Sequence, residues 1–370
     1  MRRVLFAGRT RYANPLSPTH RRKFDALGEV LDYRVLGSAA GGGTPWRFRL
    51  VSALPSRALD GPAFYLRLPF LIARELRWFE PDAVIAQSPY EGAAALLGRR
   101  LSRSGAKVIV EIHGDWRTAT RLYGSRSRSL LVGVADRAAA WAVRRADAVR
   151  TVSEFTATLV RGLGVEPAAV FHTYSELDAC VADEPAPLPG SPRFAFVGVS
   201  ERYKNIDGLA AAWRRAAPRL PGVTLELVSS GSRAAVVEQL VRDLPAQTVW
   251  HERLEPAEVA ALLDRSWALV LPSFSEGLPR VAIEALARGR PVIGSRAGGI
   301  PDAVEDDVNG LLVPPGDADA LADALVRIAS EPALTERLAA RARSSAGDFL
   351  IPAGEYARRV ADLVEAACGK

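Results

Sequence analysis

The chain has 370 residues, 48% of them hydrophobic and 24% charged, with a net charge of +6. This profile excludes a disordered or fibrous chain, and the length suggests two to three domains at about 150 residues each. Two cysteines, Cys180 and Cys368, are too few for a disulfide framework or a thiolate metal site. No apolar run approaches the roughly 20 residues needed to span a bilayer; the best candidate, Ser129–Val143, is broken by Asp136 and Arg137. A cytoplasmic location is the expectation.

Short apolar runs alternate with helical patterns along the whole chain. Met1–Gly8 reads as a first strand rather than a secretory signal. A polar, basic loop is expected at Gly8–Asn14 and a helix at Arg21–Leu27. Gly41–Gly43 is read as a loop. Strand Ala83–Ala86 leads to helix Gly92–Leu101, and strand Lys107–Ile112 to a long basic helical stretch. Ala148–Val152 reads as a late strand, with Ser153 or Thr156 placed to cap the next helix. Asp183–Pro192 holds four prolines in ten residues, which no helix interior or central strand tolerates, so it is expected to be a linker.

After it the alternation restarts. Strands are expected at Phe194–Gly198, Thr224–Ser229, Ala268–Leu271 and Pro291–Gly294, and helices at Asp207–Ala217, Arg233–Leu244 and Pro279–Arg288. Such βα alternation predicts an α/β protein of two doubly wound, Rossmann-like domains facing a central cleft. The expected boundaries are 1–182 for an N-terminal domain, 183–192 for the linker and 193–345 for a C-terminal domain. Residues 346–370 are expected to form a C-terminal helix crossing back to the first domain.

Chemistry concentrates between Leu269 and Pro315. The strand Leu269–Leu271 runs into Pro272–Leu278, and a helix is expected to open at Pro279, since proline suits the first helical position. A helix start at a strand's carboxyl end offers unpaired N–H groups and a positive dipole end to an anion such as a diphosphate. Gly277 lets a ligand approach the backbone closely. Glu276 and Glu284, eight residues apart, are better suited to sugar hydroxyls than to phosphate. On spacing alone, first-turn charge and a surface helix residue remain the ordinary reading of the two.

The run from Glu276 through Glu284 to Gly298-Gly299-Ile300-Pro301 resembles the donor-site signature of the family 4, GT-B-fold retaining glycosyltransferases, and Asn309–Asp317 resembles that family's next landmark. The resemblance implies the GT-B architecture and transfer of a sugar from a UDP- or GDP-sugar to an acceptor hydroxyl (EC 2.4, hexosyltransferase type). By it, Glu284 would bind ribose, Glu276 the transferred sugar, and the Gly277-Leu278-Pro279 backbone the sugar and β-phosphate. Val197–Asn205 resembles the loop whose basic pair grips the diphosphate, with Lys204 as its lysine. Val199 departs from the family's usual arginine, and Arg202 is the substitute candidate. Only four of the 48 basic residues are lysines, a small independent hint that Lys204 is kept as a compact point charge, with chance the ordinary alternative. Retention and metal independence follow from the resemblance, so no cofactor is expected.

In the N-terminal half, His113 at the end of Val108–Ile112 matches a histidine that faces the transferred sugar in the family, and it joins Glu276 and Lys204 as a catalytic candidate. Arg9, Asp115 and Arg117 are acceptor-side candidates with less support. The four histidines, His20, His113, His172 and His251, lack metal-ligand spacing. Asp317-Ala318-Asp319 is read as a helix cap rather than a metal motif.

Between Arg117 and Arg150, eight arginines stand against Asp136 and Asp147. That local field favours an anionic partner: an anionic membrane at the inner face, or a lipid-linked acceptor. A solvated helix face is the ordinary alternative. Nucleic acid is not expected, because no recognition module accompanies Trp116 and Trp141. Polysaccharide, glycolipid and natural-product biosynthesis all fit. A catalytically silent sugar-nucleotide-binding subunit and a GT-B-fold nucleotide-sugar epimerase are the competing readings.

Overall fold

A computed structural model describes residues 1–41, 43–52, 54, 57–118, 129–174 and 186–369, with only the backbone of 57–59 and 129–132. The chain divides into two compact units. The first comprises the described parts of 1–117 and 126–176 and the C-terminal residues from 351; the second comprises Thr118 and the described chain from 186 to 350.

The first unit holds a parallel sheet in the order β3-β2-β1-β4-β5-β6-β7, and the second one in the order β10-β9-β8-β11-β12-β13. Both are wound outward in two directions from their first strand. In the first sheet, β1 (Arg3–Ala13) lies between β2 (Asp32–Gly41) and β4 (Ala83–Ala86), and β3 (Phe48–Val51) forms the edge. Beyond β4 lie β5 (Lys107–Ile112), β6 (Ala148–Thr151) and β7 (Ala169–Val170). In the second sheet, β8 (Arg193–Val197) lies between β9 (Thr224–Val228) and β11 (Ala268–Leu271). β10 (Thr248–His251), β12 (Val292–Ser295) and β13 (Gly310–Val313) complete it. The central strands are buried on both faces by helices, so their sequences are apolar runs rather than alternations.

Gly8–Ala13, expected as a loop, continues β1. The register slips between Ala7 and Arg11, and pairing resumes at Arg11–Ser38 and Tyr12–Ala39. Polar residues after Gly8 hid this strand because the extension is no longer sandwiched between helices. Tyr12 nevertheless packs in the core with Phe24 and Phe48.

Ser153 caps the helix Glu154–Arg161, its side chain accepting from the Thr156 N–H at 3.3 Å while the Ser153 N–H donates to Thr156 Oγ1 at 3.0 Å. Asp317 likewise caps Ala318–Ser330 by accepting from the Asp319 and Ala320 N–H groups. The helix Ala353–Cys368 buries Tyr356, Val360 and Val364 in the first unit's core.

Gly42 and residues 183–185 lie outside the described residues. The described end of the proline-rich stretch is held by the second unit. Arg290 Nη2 donates to the carbonyls of Ala186 and Pro187, and Trp267 Nε1 donates to that of Pro189. Prolines lack N–H donors but keep their acceptors, which these buried side chains use.

Candidate functional site

The second sheet reverses its winding between β8 and β11, and ligands of doubly wound sheets bind beyond the carboxyl ends of strands at such a point. After β8 the chain passes into a short 3-10 turn, Arg202–Lys204. The Ser200 N–H donates to the Ser230 carbonyl at 2.9 Å, and the Arg233 N–H to the Ser200 carbonyl at 2.9 Å. Glu201 accepts from the Ser232 N–H and hydroxyl. These bonds fasten the loop after β8 to the loop after β9. Asn205, at a left-handed φ of 54°, caps the helix Ile206–Ala216.

Lys204 is only 8% exposed, and its Nζ donates to Glu276 Oε1 at 2.6 Å. Glu276 sits on the loop after β11, and this loop is fixed from two sides. The Phe274 N–H donates to the Tyr203 carbonyl at 2.7 Å, and the Gly299 N–H donates to the Glu276 carbonyl at 2.9 Å. Gly298 holds φ at 57°, and a Cβ there would come within 2.5 Å of the Glu276 carbonyl oxygen. The Gly-Gly-Ile-Pro loop is therefore a clamp on the Glu276 backbone, in a conformation only glycine adopts without strain.

The helix begins at Arg280, not at Pro279. Pro279 is the N-cap, with φ −78° and ψ 97°, and no side chain caps this end. With no side-chain cap, the positive end of the helix dipole is left open to an anion. The helix ends at Ala287 with Gly289 left-handed at φ 67°. There the Arg290 N–H bonds to the Ala285 carbonyl and the Gly289 N–H to Leu286, an arrangement that stops the helix sharply. Glu284 is buried to 8% exposure, and Arg280 Nε donates to its Oε1 at 2.9 Å. Burial pushes its carboxyl upward from the usual range, opposed by Arg280.

Three serines escaped the sequence reading. Ser200, Ser229 and Ser273 follow β8, β9 and β11, and their buried hydroxyls have no hydrogen-bond partner among the described residues. Arg202 is exposed, as is Val199. One loop system thus gathers a cation, two carboxylates, spare hydroxyls and a helix start, a set suited to an anionic ligand that also carries hydroxyls.

The other candidates belong to the first unit. His113 engages both ring nitrogens: Nε2 lies 3.2 Å from Glu111 Oε2, and Nδ1 lies 3.3 Å from Thr173 Oγ1. A carboxylate only accepts, so Nε2 carries the proton. Glu111 is buried and is bonded by Arg150 Nη1 at 2.5 Å. Burial raises the Glu111 carboxyl, but Arg150, His113 and Lys23 outweigh it and hold the group well below the ordinary range. Arg150 is fully buried; it also donates to the Phe171 carbonyl and Thr173 Oγ1, with its guanidinium 4.1 Å over the Phe171 ring. A glutamate inside the apolar run Val108–Ile112 was the only sequence signal of this network.

Arg9 pairs with Asp60 at 2.7 Å, and Asp115 accepts from the Arg117 N–H at 2.9 Å. Arg117 also lies over the Trp116 ring. Among the described residues, no group of three or more histidine, cysteine or acidic side chains is placed to hold a metal ion, and no helix is long and apolar enough to cross a membrane.

Residues 22–172 match a family model described as a glycosyl transferase 4-like domain, and residues 191–331 match one described as glycosyl transferases group 1. Glycogen synthase of Mycobacterium tuberculosis is 33% identical over 159 residues, 42% of this chain and 38% of that enzyme. D-inositol 3-phosphate glycosyltransferase of Mycobacteroides abscessus is 37% identical over 188 residues, 45% of this chain and 40% of that enzyme. The matched stretches span less than half the length of these relatives. Among solved structures, sucrose-phosphate synthase from Thermosynechococcus elongatus is similar at TM-score 0.77 over 99% of both chains, with 19% identity. Anabaena HepE in complex with UDP-glucose is similar at 0.72 over 99% of this chain and 100% of that one, with 16% identity. At these identities the structural likeness establishes the fold.

Proposed function

The chain belongs to the family 4 glycosyltransferases of GT-B fold, and from that premise we propose that it moves a sugar, with retention, from a UDP- or GDP-sugar to an acceptor hydroxyl. The observation that carries this reading is the buried Lys204–Glu276 pair beside an uncapped helix start. On arrival of the donor, Lys204 exchanges Glu276 for the β-phosphate. Glu276 is thereby released to accept from a hydroxyl of the transferred sugar. The Gly277-Leu278-Pro279 backbone and the helix start add to the contact with the sugar and β-phosphate, and Glu284 binds the ribose hydroxyls.

In the reaction the bond from the anomeric carbon to the β-phosphate oxygen breaks as the acceptor oxygen bonds to the same face. The acceptor proton passes to the departing phosphate. Charge developing on that phosphate is met by Lys204, with Arg202 in reach of solvent-side oxygens, and by the helix dipole. This stabilisation supports a reaction independent of divalent metal. His113 is proposed to face the transferred sugar with a ring whose orientation Glu111 and Thr173 set. Arg9, Asp115 and Arg117 are proposed for the acceptor side.

A thermal-shift screen of nucleotides and nucleotide sugars tests the donor. At about a hundred times the dissociation constant, a true donor adds roughly 2.7 kcal/mol of apparent stability. Lys204→Ala is expected to lose about 100- to 1,000-fold in turnover. Uniform indifference to all nucleotide sugars, or a product of inverted configuration by NMR, overturns the reading. Turnover of donor without any acceptor indicates the epimerase instead.

A further inference from the structure

Three helices cover one face of the first sheet in the spatial order Arg57–Trp78, Pro89–Ser102, Ser129–Arg145. All three bury residues in one core, including Leu68, Leu76, Ala95, Leu96, Ala142 and Val143. Their outward sides therefore form a single layer. On a soluble face those sides would be charged and polar. Here they are not.

Opposite the buried stripe of the first helix stand Leu66, Phe70 and Trp78, at 74%, 67% and 76% exposure, interleaved with exposed Arg67, Arg74 and Arg77. The second helix adds exposed Leu97, Arg100 and Leu101, and the third Val134, Arg137, Trp141 and Arg145. None of the acidic residues on these helices is exposed: Glu75 is buried against Arg34 and Arg49, Glu91 is buried, Asp60 pairs with Arg9, and Asp136 is half-buried. Between the second and third helices a groove of about 640 Å³ sets Arg99, Arg100, Arg103 and Arg145 around Trp141. At the sheet edge, Trp46 is 83% exposed and shares a second hollow with Trp78 and several arginines.

We infer that this three-helix layer is a docking face for an anionic lipid bilayer. Exposed tryptophan and phenylalanine suit the headgroup–acyl boundary, where both rings are buried while the tryptophan N–H stays wet. Long arginine side chains lay their stems on the apolar layer and present guanidinium groups to lipid phosphates. A protein partner would need compensating carboxylates against every arginine, whereas a bilayer supplies mobile anions at any position. The sequence had pointed to Arg117–Arg150 for such a contact. Residues 119–128 of that segment lie outside the described residues, and the surface found here draws mainly on two helices that precede it.

The inference needs neither donor nor acceptor, so it stands or falls apart from the transferase reading. Full-length protein is mixed with vesicles of neutral phosphatidylcholine and with vesicles containing phosphatidylglycerol at roughly a third, then separated by flotation. Partitioning onto the anionic vesicles is expected to exceed the neutral case by at least about tenfold and to weaken as salt rises. Phe70→Ser combined with Trp78→Ser, and separately Arg100→Glu combined with Arg145→Glu, should each abolish most of it. All four positions are exposed, and an unchanged circular-dichroism melt checks the fold. Equal partitioning to both vesicle types, no partitioning at all, or full binding by the double-serine variant overturns the proposal. So does a wild-type dimer in light scattering that the same variants convert to monomer.

Discussion

The polar groups beyond the two sheets are assembled in different ways. In the second unit, Glu276, Pro279, Glu284 and Gly298 lie within a short stretch of chain, and Lys204, Ser200 and Ser229 join them from the loops after two neighbouring strands. In the first unit, Glu111, His113, Arg150, Thr173 and Lys23 come from three strand ends and a helix, and Arg150 connects them from a fully buried position. The consequence is a difference in fragility. The second unit's site depends on backbone conformation and on two separate ion pairs, Lys204–Glu276 and Arg280–Glu284. The first unit's depends on a buried charge network that fails as a whole when one member is lost.

Arg150→Met should show this most strongly. Removing one partner of a buried pair costs about 3–5 kcal/mol, because the other charge is left without compensation. The melting temperature should fall accordingly. The wild-type Glu111 carboxyl has a folded value below its usual 4.5, so its contribution is complete above that pH and is lost as pH falls toward the depressed value. The variant should lose that acid-side dependence, and adding Glu111→Leu should recover part of the stability. A melt of Arg150→Met equal to wild type refutes the network's structural role.

Gly298→Ala tests the second unit's reliance on backbone. A side chain at φ 57° with its Cβ 2.5 Å from the Glu276 carbonyl oxygen must displace that loop. The strain is about 1–3 kcal/mol, and donor affinity should fall about tenfold or more while the first unit's properties are untouched. Isothermal titration with the donor identified in the nucleotide screen measures it. Retained affinity would mean that the clamp does not set the position of Glu276.

Glu284→Gln should give the smallest effect and one dependent on pH. The carboxyl titrates above its ordinary range because it is buried, and only its ionised form accepts hydrogen bonds from both ribose hydroxyls. Donor affinity of the wild type should therefore decline on acidification from a pH above 4.5, whereas the variant should be weaker at neutrality and flat. Parallel declines in both would remove Glu284 from the site.

Much of the second unit was legible in the sequence because its requirements are local. Apolar runs buried on two faces, a proline at the helix mouth and glycines at forced conformations are local requirements, written next to one another. Even there the reading placed Pro279 inside the helix, since N-cap and first-turn proline look alike until φ and ψ are known. Ser200, Ser229 and Ser273 were invisible, because a serine after a strand is commonplace and only burial without a partner marks it. The extension of β1 through Ala13 was missed because pairing, not hydrophobicity, sustains it.

The sequence by itself determined the alternation of strand and helix, the family and the contiguous carboxylate–glycine motif, since each rests on neighbours along the chain. Tertiary structure alone decided that Lys204 pairs with Glu276, that Arg150 and Glu111 set the ring of His113, and that the exposed apolar and arginine residues of three helices share one layer. Apart from Glu111 with His113, two positions apart, those relations join residues far apart along the chain. Their energies depend on burial and distance, which the folded sheets impose and the order of residues does not state.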